Sequence, residues 1–548
     1  MKKIIVYFFC LLLALSCLGC GGNHEEIKDG KASSVPVHEE VKKEVEQMVI
    51  AVNVDNSTSS LPFSSVLLNR SQFWGGLVFQ GLLVPDEGIN NVQPDLCEEY
   101  SVSPNGETYV FILKEDLYWH DGKPLTTEDV LWSIEACLLS REVNGFMKSG
   151  LQSIVGAAAY EQGNADKVEG ISISEKEVVI KLERVDGTFL AAIAQVPILP
   201  KHCLKDVEKS DLSESEFWKM PIGSGPYKVV ENKDNKDALL VVNEDYSGKK
   251  PKIKQIRYKV LDNPDKDNFD FAISSDSDII KKFQEDFSYQ VVPTTNLYYR
   301  YLYFNIDGKE KHNKGLLDDA RIRQALVMGL DRKSIIDKVY GGVALPIDCG
   351  IPETDSWFVE KNEDQIGYST RKAKQLLEEA KFDFNSTLVL TRYHEDEKSV
   401  ELLEEVADYW KELGIKVEIR PVKSNDINKL WVDTDWYDVG LKNLAAVDYN
   451  EWYFEYASSN QLWSTILNNR REFDVLIAAM SSAKWAYERA VFYEEIQQLE
   501  VEHVFKIPLT IIPQYVIYNK ERLHIPEMQF PNMWYYFDLN IEQWEMES

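Results

Sequence analysis

Between residues 399 and 419 a helix, a glycine and a strand follow one another without a gap, and this restricts the fold more than anything else in the chain. Ser399 opens a run in which Leu402, Leu403, Val406, Trp410 and Leu413 recur at helical spacing. Gly414 stops it, and Ile415, Val417 and Ile419 then alternate as a half-buried strand does. A chain that passes straight from an amphipathic helix into a strand builds layered α/β structure, with helices covering sheet faces. The same grammar runs upstream. Ser369 starts a helix with Ala373, Leu376, Leu377 and Ala380 on one face. Asp318 or Asp319 caps another, with Ile322, Ala325, Leu326 and Leu330 on one face and a stop at Gly341-Gly342. Strands are expected at Thr108–Leu113, Val178–Leu182, Leu239–Val242 and Ile253–Val260. Thr126 with Asp129 three residues on forms a capping box for a helix lined by Val130, Ile134, Cys137 and Leu138.

At 548 residues the chain is too long for one ordinary domain; two to four are expected. Its 90 acidic residues against 60 Lys and Arg give a net charge of −30. That excludes nucleic acid, whose binding depends on neutralising phosphates, and docking on anionic lipid through a basic patch.

The first twenty residues set the compartment. Lys2 and Lys3 precede a nearly continuous apolar run, Ile4 to Leu18, too short and wrongly flanked for a spanning helix. Residues 1–19 read as a signal peptide. Cys20, between Gly19 and Gly21, resembles the lipobox cysteine of bacterial lipoproteins, which becomes the lipid anchor; Cys17, with Ala14 three residues earlier, is the alternative. Residues 20–46 are polar and charged and read as a flexible tether. The expected location is the outer face of a cell membrane, lipid-anchored, and the lysine- and asparagine-rich acidic composition points to a Gram-positive host.

Several ordered motifs then converge. Pro94-Asp-Leu-Cys-Glu-Glu-Tyr100, Asn105–Lys114 and Trp119-His-Asp-Gly-Lys-Pro-Leu-Thr-Thr-Glu-Asp-Val130 come first; Pro221-Ile-Gly-Ser-Gly-Pro-Tyr-Lys228, Tyr301–Asn305, Asp319–Leu326 with Asp331-Arg332, Gly414–Val417 and Ile507–Leu509 follow. Together they resemble the family 5 extracellular solute-binding proteins, the oligopeptide and dipeptide receptors of ABC importers, along nearly the whole mature chain. The resemblance implies an α/β fold of two lobes, periplasmic-binding-protein-like (type II, cluster C), with an extra domain inserted in the first lobe. It places lobe 1 in residues 47–90, 205–285 and 500–548, the inserted domain in 91–204 and lobe 2 in 286–499. It implies a monomer that captures a short peptide between its lobes and hands it to permease subunits, without bond chemistry. Relatives that bind nickel–chelator complexes, haem or sugars keep a different small solute open, and capture of a signalling peptide is a further alternative.

Asp448-Tyr-Asn-Glu451 matches the family loop whose aspartate pairs with a peptide α-amino group. Asp448 is therefore the expected ammonium anchor, since a buried ammonium needs a charged hydrogen-bonding partner. Tyr449, Asn450, Trp452 and Trp436 are the accompanying candidates. Many peptide binders of the family carry Trp three residues before the aspartate and Pro after the motif; this chain has Ala445 and Trp452 there.

No resident cofactor is expected. The eight histidines show no paired helical spacing, and Cys97, Cys137, Cys203 and Cys349 show no zinc pattern, so no direct metal site is expected either. His120-Asp121 is the one tempting catalytic pair, but it lies in the family's turn, and no GxSxG, HExxH or phosphate-cradling loop accompanies it.

Overall fold

The strand Thr108–Leu113 forms as its alternation predicts, burying Tyr109, Phe111 and Leu113. It lies in a four-stranded antiparallel sheet between Cys97–Val102 and Glu177–Lys181, with Ile171–Ile173 at the edge. The helix Thr127–Leu139 opens where the capping box predicts: the Thr126 N–H donates to Asp129 Oδ2 at 2.9 Å. It covers this sheet, and Val130, Ile134, Cys137 and Leu138 join its core. The chain is described here by a computed structural model, which covers residues 47–547 apart from 53–61, 71–74, 86–91, 262–268, 295–296, 307–312, 314, 354, 356, 360–365, 424–425, 427–428, 433, 447–448, 461–462, 464–465, 468–469, 484–485 and 527–539. The leader, Cys17, Cys20 and the tether lie outside the described residues, as does Asp448.

Two larger sheets carry the lobes. In the first, seven strands run in the order Tyr289–Pro293, Tyr515–Asn519, Phe271–Ser274, Gln47–Val52, Gln255–Val260, Asp237–Val242 and Tyr227–Lys233. Gln47–Val52 is parallel to both of its neighbours, and the other pairings are antiparallel. In the second, six strands run Leu345–Pro346, Lys506–Ile511, Leu297–Phe304, Val439–Ala446, Thr387–Thr391 and Lys416–Ile419. Thr387–Thr391 is parallel to both neighbours there. Each of the three large sheets has its own apolar core.

Sheet pairing moves two of the expected boundaries. Tyr289–Pro293 was placed in lobe 2 but pairs with Tyr515–Asn519 in the seven-stranded sheet. Lys506–Ile511 was placed in lobe 1 but pairs with Leu297–Phe304 in the six-stranded sheet. Hydrogen-bond pairing across more than two hundred positions decides both assignments, and no local pattern carries that information.

Two helices also differ. The one expected from Asp318 or Asp319 through to Gly341 is two helices, Ala320–Met328 and Arg332–Tyr340. Asp331 breaks it by accepting from the Ser334 N–H, a cap for the second helix. The later one starts at Glu397, because Asp396, not Ser399, is the cap and accepts from the Ser399 N–H at 2.9 Å. Its end is as expected: Gly414 takes φ +92°, and Lys416–Ile419 follows as a strand.

Candidate functional site

The chain leaves the seven-stranded sheet after Pro293 and joins the six-stranded sheet at Leu297, and it returns between Ile511 and Tyr515. The crossings are tied to each other. The Thr294 N–H and hydroxyl both donate to the Gln514 carbonyl, at 2.7 and 3.0 Å, and the Ile512 N–H donates to the Tyr298 carbonyl at 2.9 Å. Short paired segments joining two separately cored lobes make a hinge, because few dihedrals carry the relative motion.

Both sheets turn the same kind of edge toward this hinge. Ser274 stands opposite Tyr515, at the carboxyl end of a strand parallel to Gln47–Val52. Ala446 stands opposite Leu297, at the carboxyl end of the strand that runs parallel to Thr387–Thr391. In open α/β sheets ligands bind in the crevice outside such strand ends. The crevice between the lobes is therefore the candidate site.

The lobe 2 rim is polar. Arg300 lies directly across the sheet from Asn443. Its guanidinium donates to Ser399 Oγ at 2.9 Å and Asp396 Oδ1 at 3.2 Å, and Asn443 Nδ2 donates to Tyr298 Oη at 2.8 Å. Burial, with Arg300 and Lys442 adding to it, pushes His394 down to about 4, so this imidazole is neutral at pH 7. Arg300 Nε, His394 Nε2 and Asn443 Oδ1 are buried atoms with no hydrogen-bond partner among the described residues. Buried polar atoms are normally satisfied, so this rim has bonding capacity left for a polar guest.

Behind the rim, on the opposite face of the same strand, lies an aromatic and ionic floor. Tyr299, Tyr301 and Tyr303, alternate residues of one strand, are fully buried on one face with Trp452 and Trp463. Lys506, withdrawn from solvent, lies 3.9 Å from the Trp452 ring centroid and 4.2 Å from that of Tyr456. Glu455 binds Lys506 and Lys442 at 2.7 Å each and accepts from the Tyr301 hydroxyl at 2.6 Å. Burial pushes the Glu455 carboxyl up, but the two ammonium groups outweigh it and hold it at about 2. Glu500 accepts from Trp452 Nε1, Tyr456 Oη, Tyr453 Oη and the Gly350 N–H.

Three of the candidates fall together on the helix Tyr449–Phe454, immediately after Asp448. Tyr449 donates to Asp355 Oδ2 at 2.7 Å, and Asn450 Oδ1 accepts from the Tyr493 hydroxyl at 3.1 Å. Trp452 points down into the floor with no exposed surface. Trp436 stands apart, half-buried, against Tyr437 with its indole N–H on the Lys429 carbonyl. Sequence reasoning passed over Glu455, Glu500 and Lys506, since isolated charges carry no period. The alternation of Tyr299, Tyr301 and Tyr303 was a usable signal for a buried sheet face.

The inserted domain also touches lobe 2. The Gly187 N–H donates to the Ser481 carbonyl at 2.7 Å, and the Gly187 carbonyl accepts from Arg489 Nη1 at 3.3 Å. A Cβ at Gly187 would run into the Ala483 carbonyl oxygen, so glycine permits the approach.

Residues 91–469 match the family model for bacterial extracellular solute-binding proteins, family 5, middle region. The chain belongs to this family. Over 370 residues it is 27% identical to a protein of Brucella ovis named as an ABC transporter peptide-binding protein, and that match spans 65% of each chain, just under two thirds of the relative's length. It is 28% identical over 491 residues to the oligopeptide-binding protein AppA of Bacillus subtilis, spanning 82% of each. The solved structure of Bacillus subtilis AppA in complex with a nonapeptide superposes with a TM-score of 0.66 at 22% identity, covering 92% of this chain and 99% of that one. The α/β, two-lobed architecture is thus the fold of the family. Among the described residues of this family 5 chain, no helix is long and apolar enough to cross a membrane.

Proposed function

We propose that this chain is the substrate-binding component of an ABC importer, capturing an oligopeptide between its lobes and delivering it to membrane permease subunits. The observation that carries the reading is the hinge with two facing rims of strand ends. A guest bonded to both rims favours the closed arrangement, and binding shifts the population toward it. Peptide is favoured over other solutes because Arg300 Nε, His394 Nε2 and Asn443 Oδ1 have no partner among the described residues, and donors and acceptors of this kind read a peptide main chain rather than side chains. The names of these relatives, both given as peptide-binding proteins, support the same choice.

In this reading Asp448 pairs with the peptide α-ammonium. Tyr449 and Asn450 hold the first turn of the helix behind it through Asp355 and Tyr493. Trp452 acts from below by fixing that helix to Glu500, and Trp436 belongs to the outer aromatic surface. The mature protein works as a monomer on the outer face of a Gram-positive membrane, anchored through Cys20, with Cys17 as the alternative. Binding requires no cofactor and is not followed by catalysis.

A thermodynamic cycle tests the anchor. A peptide and its N-acetylated form are titrated against the wild-type chain and Asp448→Asn. Acetylation is expected to weaken wild-type binding by about a hundredfold, the cost of leaving a buried charge unpaired, and to have little further effect in the variant. Equal affinity of both peptides for the wild type would remove Asp448 from this role.

A further inference from the structure

Where the inserted domain meets lobe 1, three side chains with metal-binding chemistry converge. Asp121 comes from the turn after Trp119, and His202 and Cys203 from the four-residue helix Lys201–Leu204. Their ligand atoms all lie within 4.8 Å of one another, and His202 Nε2 is 3.0 Å from Asp121 Oδ2. Eighty-one positions separate the turn from the helix, so neither histidine spacing nor cysteine spacing reveals the group. We infer that Asp121, His202 and Cys203 form a binding site for a borderline divalent transition cation of the zinc type.

The donor set selects that class. One imidazole nitrogen, one thiolate and one carboxylate suit zinc-like ions, whereas calcium and magnesium demand oxygen ligands. Bonds of about 2.0 Å to N and O and about 2.3 Å to S place tetrahedral ligands roughly 3.3–3.5 Å apart, so the wider separations contract while the 3.0 Å between His202 Nε2 and Asp121 Oδ2 opens slightly. Three protein ligands leave the fourth position to water.

Both supports are fixed before any ion arrives. The turn is closed by the Trp119 N–H to Lys123 carbonyl and the Gly122 N–H to Trp119 carbonyl bonds, each 2.8 Å, and the Lys123 N–H holds Asp121 Oδ1 at 3.2 Å. That leaves Oδ2 facing His202. The helix is held at its start by the Lys201 N–H on Asp129 Oδ1 at 3.0 Å. Trp119 meets the His202 ring edge-on at 6.2 Å between centroids. Fixed supports of this kind lower the ordering cost of metal binding.

Three groups must give way. The hydrogen bond between His202 Nε2 and Asp121 Oδ2 opens, with the imidazole proton carried on Nδ1, so that both atoms face the ion. The Lys123 ammonium, 3.0 Å from Asp121 Oδ2 and well exposed, swings into solvent. The Cys203 thiol, whose titration is pushed up by burial and by Asp121, loses its proton to water as the sulfur–metal bond forms. Of the described cysteines, Cys97, Cys137 and Cys349 are buried and Cys203 is the partly exposed one. Cys203 packs on the lobe 1 core and Trp119 belongs to the inserted domain's core, so a bound ion would staple the two together.

Cobalt(II) is the probe, titrated into reduced, tag-free protein above pH 7. A thiolate-to-cobalt charge-transfer band is expected, displaced by zinc(II) at one equivalent. Cys203→Ser should abolish the band. His202→Ala and Asp121→Asn should each weaken binding by at least about tenfold, since even indirect supports of metal ligands are worth about 10–100-fold. Peptide binding in the crevice should be unchanged in all three, which separates this site from the proposed function. Absence of the band, its persistence in Cys203→Ser, or full affinity in both His202→Ala and Asp121→Asn would overturn the assignment.

Discussion

Lys506 Nζ and Glu455 Oε2 lie 2.7 Å apart in the interior of lobe 2, one side chain wholly buried and the other nearly so. The pair joins the strand Lys506–Ile511 to the segment just after the helix that follows Asp448. Taking one member away leaves a charge in a low-dielectric interior, which costs about 3–5 kcal/mol. Glu455→Gln should be the harshest single change, because it strands Lys442 as well as Lys506. Lys442→Met should cost least, since Lys442 retains some solvent. Urea unfolding midpoints of the three single variants, including Lys506→Met, check the order.

Glu500→Gln probes the neighbouring network. The carboxylate accepts from three side chains and one main-chain N–H. An amide brings two donors to a place that needs only acceptors, leaving at least one buried donor unmet at about 1–3 kcal/mol. The change should lower stability by that amount and also weaken peptide binding, because Trp452 fixes the helix behind Asp448. Chemical denaturation and calorimetric titration on the same variant separate the two effects.

His120 makes a pH prediction. Its Nδ1 accepts from the Gly223 N–H at 3.1 Å and its Nε2–H donates to the Gly225 carbonyl at 3.0 Å, so the neutral ring bridges the turn at 119–123 to the glycine-rich turn. Burial holds its titration down to about 4, against an ordinary 6.5. The folded state therefore binds this proton more weakly than the unfolded chain does. The stabilisation is complete above pH 6.5 and is lost as pH falls toward 4. His120→Gln should reduce the stability difference between pH 7 and pH 5, measured by denaturant midpoints at both.

Gly187 predicts a split between binding and folding. Gly187→Val places a branched side chain against the Ala483 carbonyl and disrupts the contact between the inserted domain and lobe 2. The open population should rise and peptide affinity should fall by about tenfold, an ordinary conformational coupling, with little change in unfolding midpoint. Binding titration and small-angle scattering of the variant check both halves.

Local elements were legible because their signals are local. The alternation of Tyr109, Phe111 and Leu113, the Thr126–Asp129 box and the stop at Gly414 each depend on neighbours within four residues. The family's ordered motifs then supplied the two lobes. What the chain did not disclose was long-range pairing. Nothing near Lys506 or Tyr289 says which sheet completes its hydrogen bonds, so both lobe boundaries moved. The Asp396 cap was hidden by Ser399, an equally good capping residue three positions on. The floor of Glu455, Glu500 and Lys506 and the group of Asp121, His202 and Cys203 are tertiary constellations, assembled from positions that share no period.

The account rests on capture of a peptide between the lobes, and ligand-linked stability tests it most directly. The soluble chain is unfolded and refolded to strip carried ligand, then melted alone, with a library of short peptides, and with nickel–chelator complexes. A guest that binds only the folded state adds about 2.7 kcal/mol at a hundredfold excess over its Kd. Peptides are predicted to raise the melting temperature, and to contract the scattering radius as the lobes close. A rise with metal chelates and none with any peptide would contradict the account.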